Sequence, residues 1–162
     1  RQALFGRFRF EHAPVPGNRE NIRILDNWEA QNIVRVELPQ LAGVRGAGAT
    51  GAVRFHRLAV EQLVLLWKAW EDAGLLPLVK TWGGAFVPRF VRGSITSLSN
   101  HAFGSAFDIN VAFNPLGARP ALAGRPGSVR ELVPLAHQHG FYWGGHFTRL
   151  DGMHFEVAKL NS

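Results

Sequence analysis

"SLSNHAFGSAFDIN", residues 97–110, sets a histidine and an aspartate seven positions apart in a chain that has only four aspartates. Its continuation AFDINVAF, residues 106–113, alternates, with Phe107, Ile109 and Val111 on one side of an extended chain and Ala106, Asp108 and Asn110 on the other. The pattern predicts a half-buried strand carrying Asp108 on its polar face. Further on, DGMHFEVAKL, residues 151–160, predicts a second strand with His154 and Glu156 on one face and Phe155 and Val157 on the other. If the two strands are neighbours, Asp108 and His154 face one cleft.

Working outward, the β-branched alternation of Ile33 to Leu38 predicts a strand that stops at Pro39. GVRGAGATGAV, residues 43–53, has no hydrophobic period and reads as a loop; its glycines do not form a phosphate-cradling motif. In FHRLAVEQLVLLWKAWEDAGLLP, Leu58, Leu63, Leu66, Trp67 and Trp70 recur close to the spacing of one helical face. Gly74 and Pro77 supply a stop, so the spacing predicts a helix over 55–73 with its tryptophans in the core. A second helix is expected in GSVRELVPLAHQHG, where Ser128 and Glu131 have capping-box spacing and Pro134 kinks or weakens it. His137 and His139 lie two apart near its end, a spacing that points their side chains in different directions and argues against a metal pair.

The chain has 162 residues, 46% of them hydrophobic, enough for one well-cored domain and short for two. No apolar run is long enough to span a membrane. Arg1 stands at the start and no targeting leader follows it, so the chain reads as a processed or excised piece. The absence of cysteine excludes disulfides, thiolate metal sites and cysteine nucleophiles, leaving His, Asp and Glu to hold any metal. A formal charge of +6 favours a polyanionic partner or a solvated basic surface. The basic residues are scattered and form no dense nucleic-acid-binding arm, so no nucleic acid is expected.

A catalytic zinc takes three nitrogen or oxygen ligands from the protein and leaves one position for water. His101, Asp108 and His154 supply such a set, and Asp151, three residues before His154, or Glu156 could serve as the carboxylate that moves the proton. Glu156, along the same strand face, suits an orienting partner of His154 better. Taken one at a time, these residues read more readily as a turn histidine, a strand-edge aspartate and a core histidine; their clustering in two short segments brings the metal reading level.

SNHAFGSAFD, residues 99–108, resembles the S-x-H-x-x-G-x-A-x-D signature of the M15 family of zinc D,D-carboxypeptidases and L-alanyl-D-glutamate endopeptidases. GFYWGGHFTRLDGMHFE, residues 140–156, resembles the same family's second signature, in which a Trp-Gly-Gly stretch leads to an acidic residue, two spacers and a histidine. The resemblance covers residues 82–156. It implies an α+β fold of the Hedgehog and D,D-peptidase type, a small mainly antiparallel sheet with flanking helices, as one domain over 1–162.

It further implies one Zn2+ held by His101, Asp108 and His154, with Asp151 as catalytic carboxylate and an upstream arginine that holds a substrate carbonyl or carboxylate. Arg89 is preferred for that arginine, with Arg92 as the alternative, because the family's Tyr-Arg pair is here Pro88-Arg89. Ser99 would orient the ligand loop or touch substrate. The implied substrate is the stem peptide of bacterial peptidoglycan, met by a periplasmic, secreted or phage-delivered enzyme, with loops 43–53 and 112–127 shaping which bond is cut. A catalytically silent, zinc-containing wall-binding module is the alternative, against which the retained carboxylate at Asp151 argues.

Overall fold

The computed structural model describes residues 1–161. Its strands are β1 Phe10–His12, β2 Ile22–Ile24, β3 Ile33–Glu37, β4 Ala52–His56, β5 Trp82–Gly84, β6 Ala106–Ile109, β7 Phe141–Trp143 and β8 His154–Val157. Its α-helices are α1 Gln2–Phe5, α2 Trp28–Asn32, α3 Val60–Asp72 and α4 Val133–Gln138, with short 3-10 turns between elements. The fold is α+β. Strands β1 and β2 pair with each other, as do β3 and β4, while the remaining four form an antiparallel sheet in the order β5-β6-β8-β7.

Alternation along that sheet decides which side becomes the site. Phe107 and Phe155 are directly opposite on β6 and β8, buried, and stacked at 5.5 Å between ring centroids. Trp82 stacks on Phe107 from the neighbouring strand, and Trp67 and Trp70 of α3 meet the same rings edge-on or tilted. Burying each such ring is worth about 1.5–3 kcal/mol, with the paired rings adding about 0.5–1.5 kcal/mol per contact. A register slip of one residue would turn all of this apolar surface outward. The packing therefore forces Asp108, His154 and Glu156 onto the opposite face.

Helix α3 is shorter than its periodicity predicts. Phe55 and His56 belong to β4, where Phe55 pairs with Val34, and Leu58 lies exposed in the turn that follows. A buried strand end followed by a turn shares the apolar spacing of a helical face over those few residues. Likewise the loop after Pro39 ends at residue 51, because Ala52 and Val53 already belong to β4.

Pro134 does not kink a helix: it occupies the first turn of α4, where its missing N–H costs nothing. Ser128 Oγ caps the preceding 3-10 turn by accepting from Arg130 N at 3.2 Å, while the Glu131 carboxylate accepts from Ser128 Oγ rather than from the Ser128 backbone.

Strand β6 stops at Ile109 because Asn110 adopts φ 53°, the only positive φ at a non-glycine among the described residues. Asn110 is buried, not on a wet polar face. Its Oδ1 accepts from Lys80 N and Thr81 N, and its Nδ2 donates to Leu78 O and Gly127 O. Val111 consequently leaves the Phe107–Ile109 face and lines the cleft.

Candidate metal centre

Each ligand candidate is placed by a local device legible in its neighbours. Ser99 Oγ accepts from His101 N at 3.2 Å, capping the short turn Asn100–Phe103 that presents His101. Gly104 ends that turn in the left-handed region at φ 64°, and its carbonyl accepts from His56 N at 2.7 Å. A Cβ there would sit 2.5 Å from Ile33 Cδ1 as well, so backbone angle and packing both demand glycine. Ala106 is fully buried opposite Glu156.

His101 Nε2, Asp108 Oδ1 and His154 Nδ1 form a triangle with every side 3.2 Å. Ligands about 2.0–2.1 Å from a tetrahedral metal are about 3.3–3.4 Å apart, so the triangle has the size of one face of such a site. The protonation pattern fits as well. His101 Nδ1 lies 2.7 Å from the Ala85 carbonyl, which can only accept, and His154 Nε2 lies 2.8 Å from the Glu156 carboxylate. Each outer nitrogen therefore faces an acceptor, and the two inner nitrogens turn toward each other and toward Asp108.

Three converging donor atoms in a buried site can hold a metal ion between them. Burial opposes charge on His154, but its hydrogen bonds to Asp108 and Glu156 prevail and push its pKa up to about 9. Burial likewise opposes the Asp108 carboxylate, yet His101 and His154 hold it well below the usual carboxylate range.

Asp151 sits on the loop between β7 and β8, its Oδ2 3.9 Å from His154 Nδ1. The loop is closed by Asp151 N donating to Gly144 O at 2.9 Å and by Trp143 Nε1 donating to Gly152 O at 2.8 Å. Burial raises the Asp151 pKa and the Asp108 charge adds to it, while His154, His101 and Arg89 pull the other way. A carboxylate of raised basicity beside a cation site is suited to proton transfer. Glu156, by contrast, is turned to the outer nitrogen of His154, away from the centre.

These groups line one cleft of about 530 Å³, together with Arg89, Arg92, Ser99, Leu116 and Arg149. The two arginines left open by the sequence differ in their engagement. Arg92 donates to Asn18 Oδ1 at 2.6 Å and pairs with Glu20 at 3.4 Å. Arg89 is mostly buried, bonds only the Phe90 carbonyl, and lies in the field of Asp108 and Asp151.

Arg149, which the sequence did not single out, reaches across to the Arg92 carbonyl at 2.7 Å. The loop at 43–53 does not reach the cleft: Arg45 bridges Thr81 on the far side of β5, and Leu116 is the residue of the 112–127 loop that lines it, next to Val111. His137 is exposed, and His139 is occupied by the Leu135 carbonyl.

Residues 92–157 match the M15 peptidase family model described as D-alanyl-D-alanine carboxypeptidase. The match runs from Arg92 through all three converging donors and Asp151 to the end of β8. No curated protein and no solved structure is significantly similar to the chain.

Proposed function

We propose that the chain, whose residues 92–157 match the M15 peptidase family model, hydrolyses peptide bonds in the stem peptides of bacterial peptidoglycan with one zinc ion held by His101, Asp108 and His154. The observation that carries this is the 3.2 Å triangle of inner donors, both imidazoles having their outer nitrogens engaged as donors. A histidine–histidine–carboxylate set without thiolates is that of a hydrolytic zinc site. Such an ion supplies Lewis-acid polarisation of a carbonyl and makes water acidic near neutral pH.

The chain's own residues do the rest. Asp151 accepts the proton of the attacking water as the oxygen–carbon bond forms, and returns it to the nitrogen as the carbon–nitrogen bond breaks. Arg89, permanently charged and without a carboxylate partner among the described residues, faces the negative charge that develops on the carbonyl oxygen or a substrate carboxylate. Ser99 keeps to its capping role, and Glu156 fixes the His154 tautomer. Arg92 and Arg149 give the cleft rim the positive charge that suits the carboxylates of stem peptides.

We take residues 1–162 as one peptidase domain, supported by a hydrophobic core that runs unbroken from Phe5 to Val157. A substrate of this class places the enzyme at the cell wall, whether periplasmic, secreted or delivered by phage. The test is hydrolysis of a synthetic stem pentapeptide by zinc-loaded protein and by protein stripped with a chelator. Activity that returns on adding zinc supports the proposal. A protein that binds one zinc and cleaves nothing would instead favour a silent wall-binding module.

A further inference from the structure

The outer face of the metal centre holds a charged group for which neither the sequence signatures nor the proposed mechanism has a use. Arg1, at the opposite end of the sequence from β8, packs its side chain behind the ligand triangle, where it is only 16% exposed. Its Nε donates to Asn100 Oδ1 at 2.9 Å, its Nη1 to the Val157 carbonyl at 2.5 Å and its Nη2 to Glu156 Oε2 at 2.7 Å. Asn100 directly precedes the ligand His101, and Glu156 and Val157 closely follow the ligand His154. One guanidinium thus gathers both ligand-bearing segments from behind.

We propose that Arg1 is a positioning residue of the metal centre, acting through Glu156 on His154. This rests on the reading of His101, Asp108 and His154 as metal ligands. The two oxygens of Glu156 divide the work, Oε2 accepting from Arg1 and Oε1 from His154 Nε2–H at 2.8 Å. Two engaged oxygens fix the carboxylate plane, and a fixed carboxylate holds the imidazole in the tautomer and rotation that aim Nδ1 at Asp108 and His101.

Without the guanidinium, the half-buried Glu156 carboxylate would keep only the neutral Asn100 side chain and His154 beside it and would be freer to rotate. Lysine cannot replace the fork, because one ammonium is a compact point charge whereas the planar guanidinium reaches three acceptors on two segments at once. The N-terminal segment has its own anchors: Phe5 is buried against His56, and Trp28 Nε1 donates to the Phe5 carbonyl. Removing the Arg1 side chain therefore leaves α1 docked and isolates the effect on the metal centre.

The experiment measures zinc affinity, by competition with a chromophoric chelator, for wild type, Arg1→Ala, Arg1→Lys, Glu156→Gln and the Arg1→Ala/Glu156→Gln double variant. Melting of each metal-free protein is recorded alongside. Losing the outer partner of a metal-bound histidine weakens the metal by about 10- to 100-fold, and Arg1→Ala, which acts through that partner, is expected to weaken zinc by about 10-fold. Arg1→Lys is expected to recover only part of that, and Arg1→Ala to add little once Glu156 is glutamine.

Unchanged affinity in Arg1→Ala overturns the proposal, as does an equal loss in both Glu156 backgrounds. Should Arg1→Ala fail to fold, Arg1→Lys and Arg1→Gln, which keep the aliphatic stem, decide between the same two outcomes. A wild-type protein that binds no zinc would instead defeat the metal-centre reading itself, a result separate from any difference among the variants.

Discussion

Replacing Gly144 with alanine tests whether a close backbone approach sets the position of Asp151. A Cβ at residue 144 would lie 2.3 Å from the Asp151 carbonyl oxygen and 3.0 Å from Asp151 Cβ. Ordinary contact begins at about 3.4 Å, so the Asp151 segment has to retreat by about 1 Å. The loop resists that movement, since Asp151 N is bonded to Gly144 O and Trp143 Nε1 to the Gly152 carbonyl. A displacement of about 1 Å in the catalytic geometry costs about 10²-fold in rate, equivalent to roughly 3 kcal/mol of barrier. All three ligands lie outside the β7–β8 loop, His101 on the turn Asn100–Phe103, Asp108 on β6 and His154 at the start of β8, so zinc should stay bound. The assay is initial-rate hydrolysis of a stem peptide by Gly144→Ala, with zinc stoichiometry and melting temperature measured on the same preparation. A rate about 10²-fold below wild type at one zinc per chain is expected. Full turnover in Gly144→Ala would refute the link between this glycine and the carboxylate.

Asp151→Asn should retain zinc while hydrolysis falls by about 10²- to 10⁴-fold, whereas His101→Ala should lose the metal, both read by elemental analysis beside turnover. Arg89→Ala should lower kcat/KM far more than Arg92→Ala, whose guanidinium is already engaged by Asn18 and Glu20, in steady-state kinetics on one peptide. Asn110→Ala removes four buried hydrogen bonds and should cost about 2–4 kcal/mol in urea unfolding. His56 is buried and neutral, its Nε2–H facing the Phe5 carbonyl and its Nδ1 accepting from Leu58 N. Burial lowers its pKa from 6.5 to about 4, against the Phe5 carbonyl and with help from Arg57. The unfolded chain therefore takes up the proton first, and stability should fall as pH drops from about 6.5 toward 4, by up to about 1.4 kcal/mol per unit; His56→Gln should flatten that part of the profile.

The strands that carry the site were legible because period-two alternation survives in residues 106–109 and 154–157, where one face must bury Phe107, Phe155 and Val157. Their adjacency, with Asp108 opposite His154, is a matter of pairing that alternation allows but does not dictate. The start of α3 was misread because Phe55 and Leu58 extend a helical spacing into β4 and an exposed turn, and only pairing with β3 separates the two. Asn110 looked like a polar-face residue since its spacing fits. Its left-handed backbone and buried bonds depend on Lys80, Thr81 and Gly127, which are distant in sequence.

Arg1 and Arg149 were invisible for the same reason, as the partners that give them meaning lie 155 and 57 residues away. Gly104 and Gly144 of the signatures could be found by motif, but their physical reasons emerge only from Ile33 and His56 packed on Gly104, and from Asp151 packed on Gly144.

The central claim, metal-dependent hydrolysis of stem peptides, is tested most directly by mass spectrometry of purified peptidoglycan after incubation with zinc-loaded protein, chelated protein and zinc-loaded Asp151→Asn. New fragments cut at a stem-peptide bond in the first sample alone are the predicted result. Intact peptidoglycan in all three, with zinc bound to the wild type, or identical cleavage with and without the chelator, would contradict it.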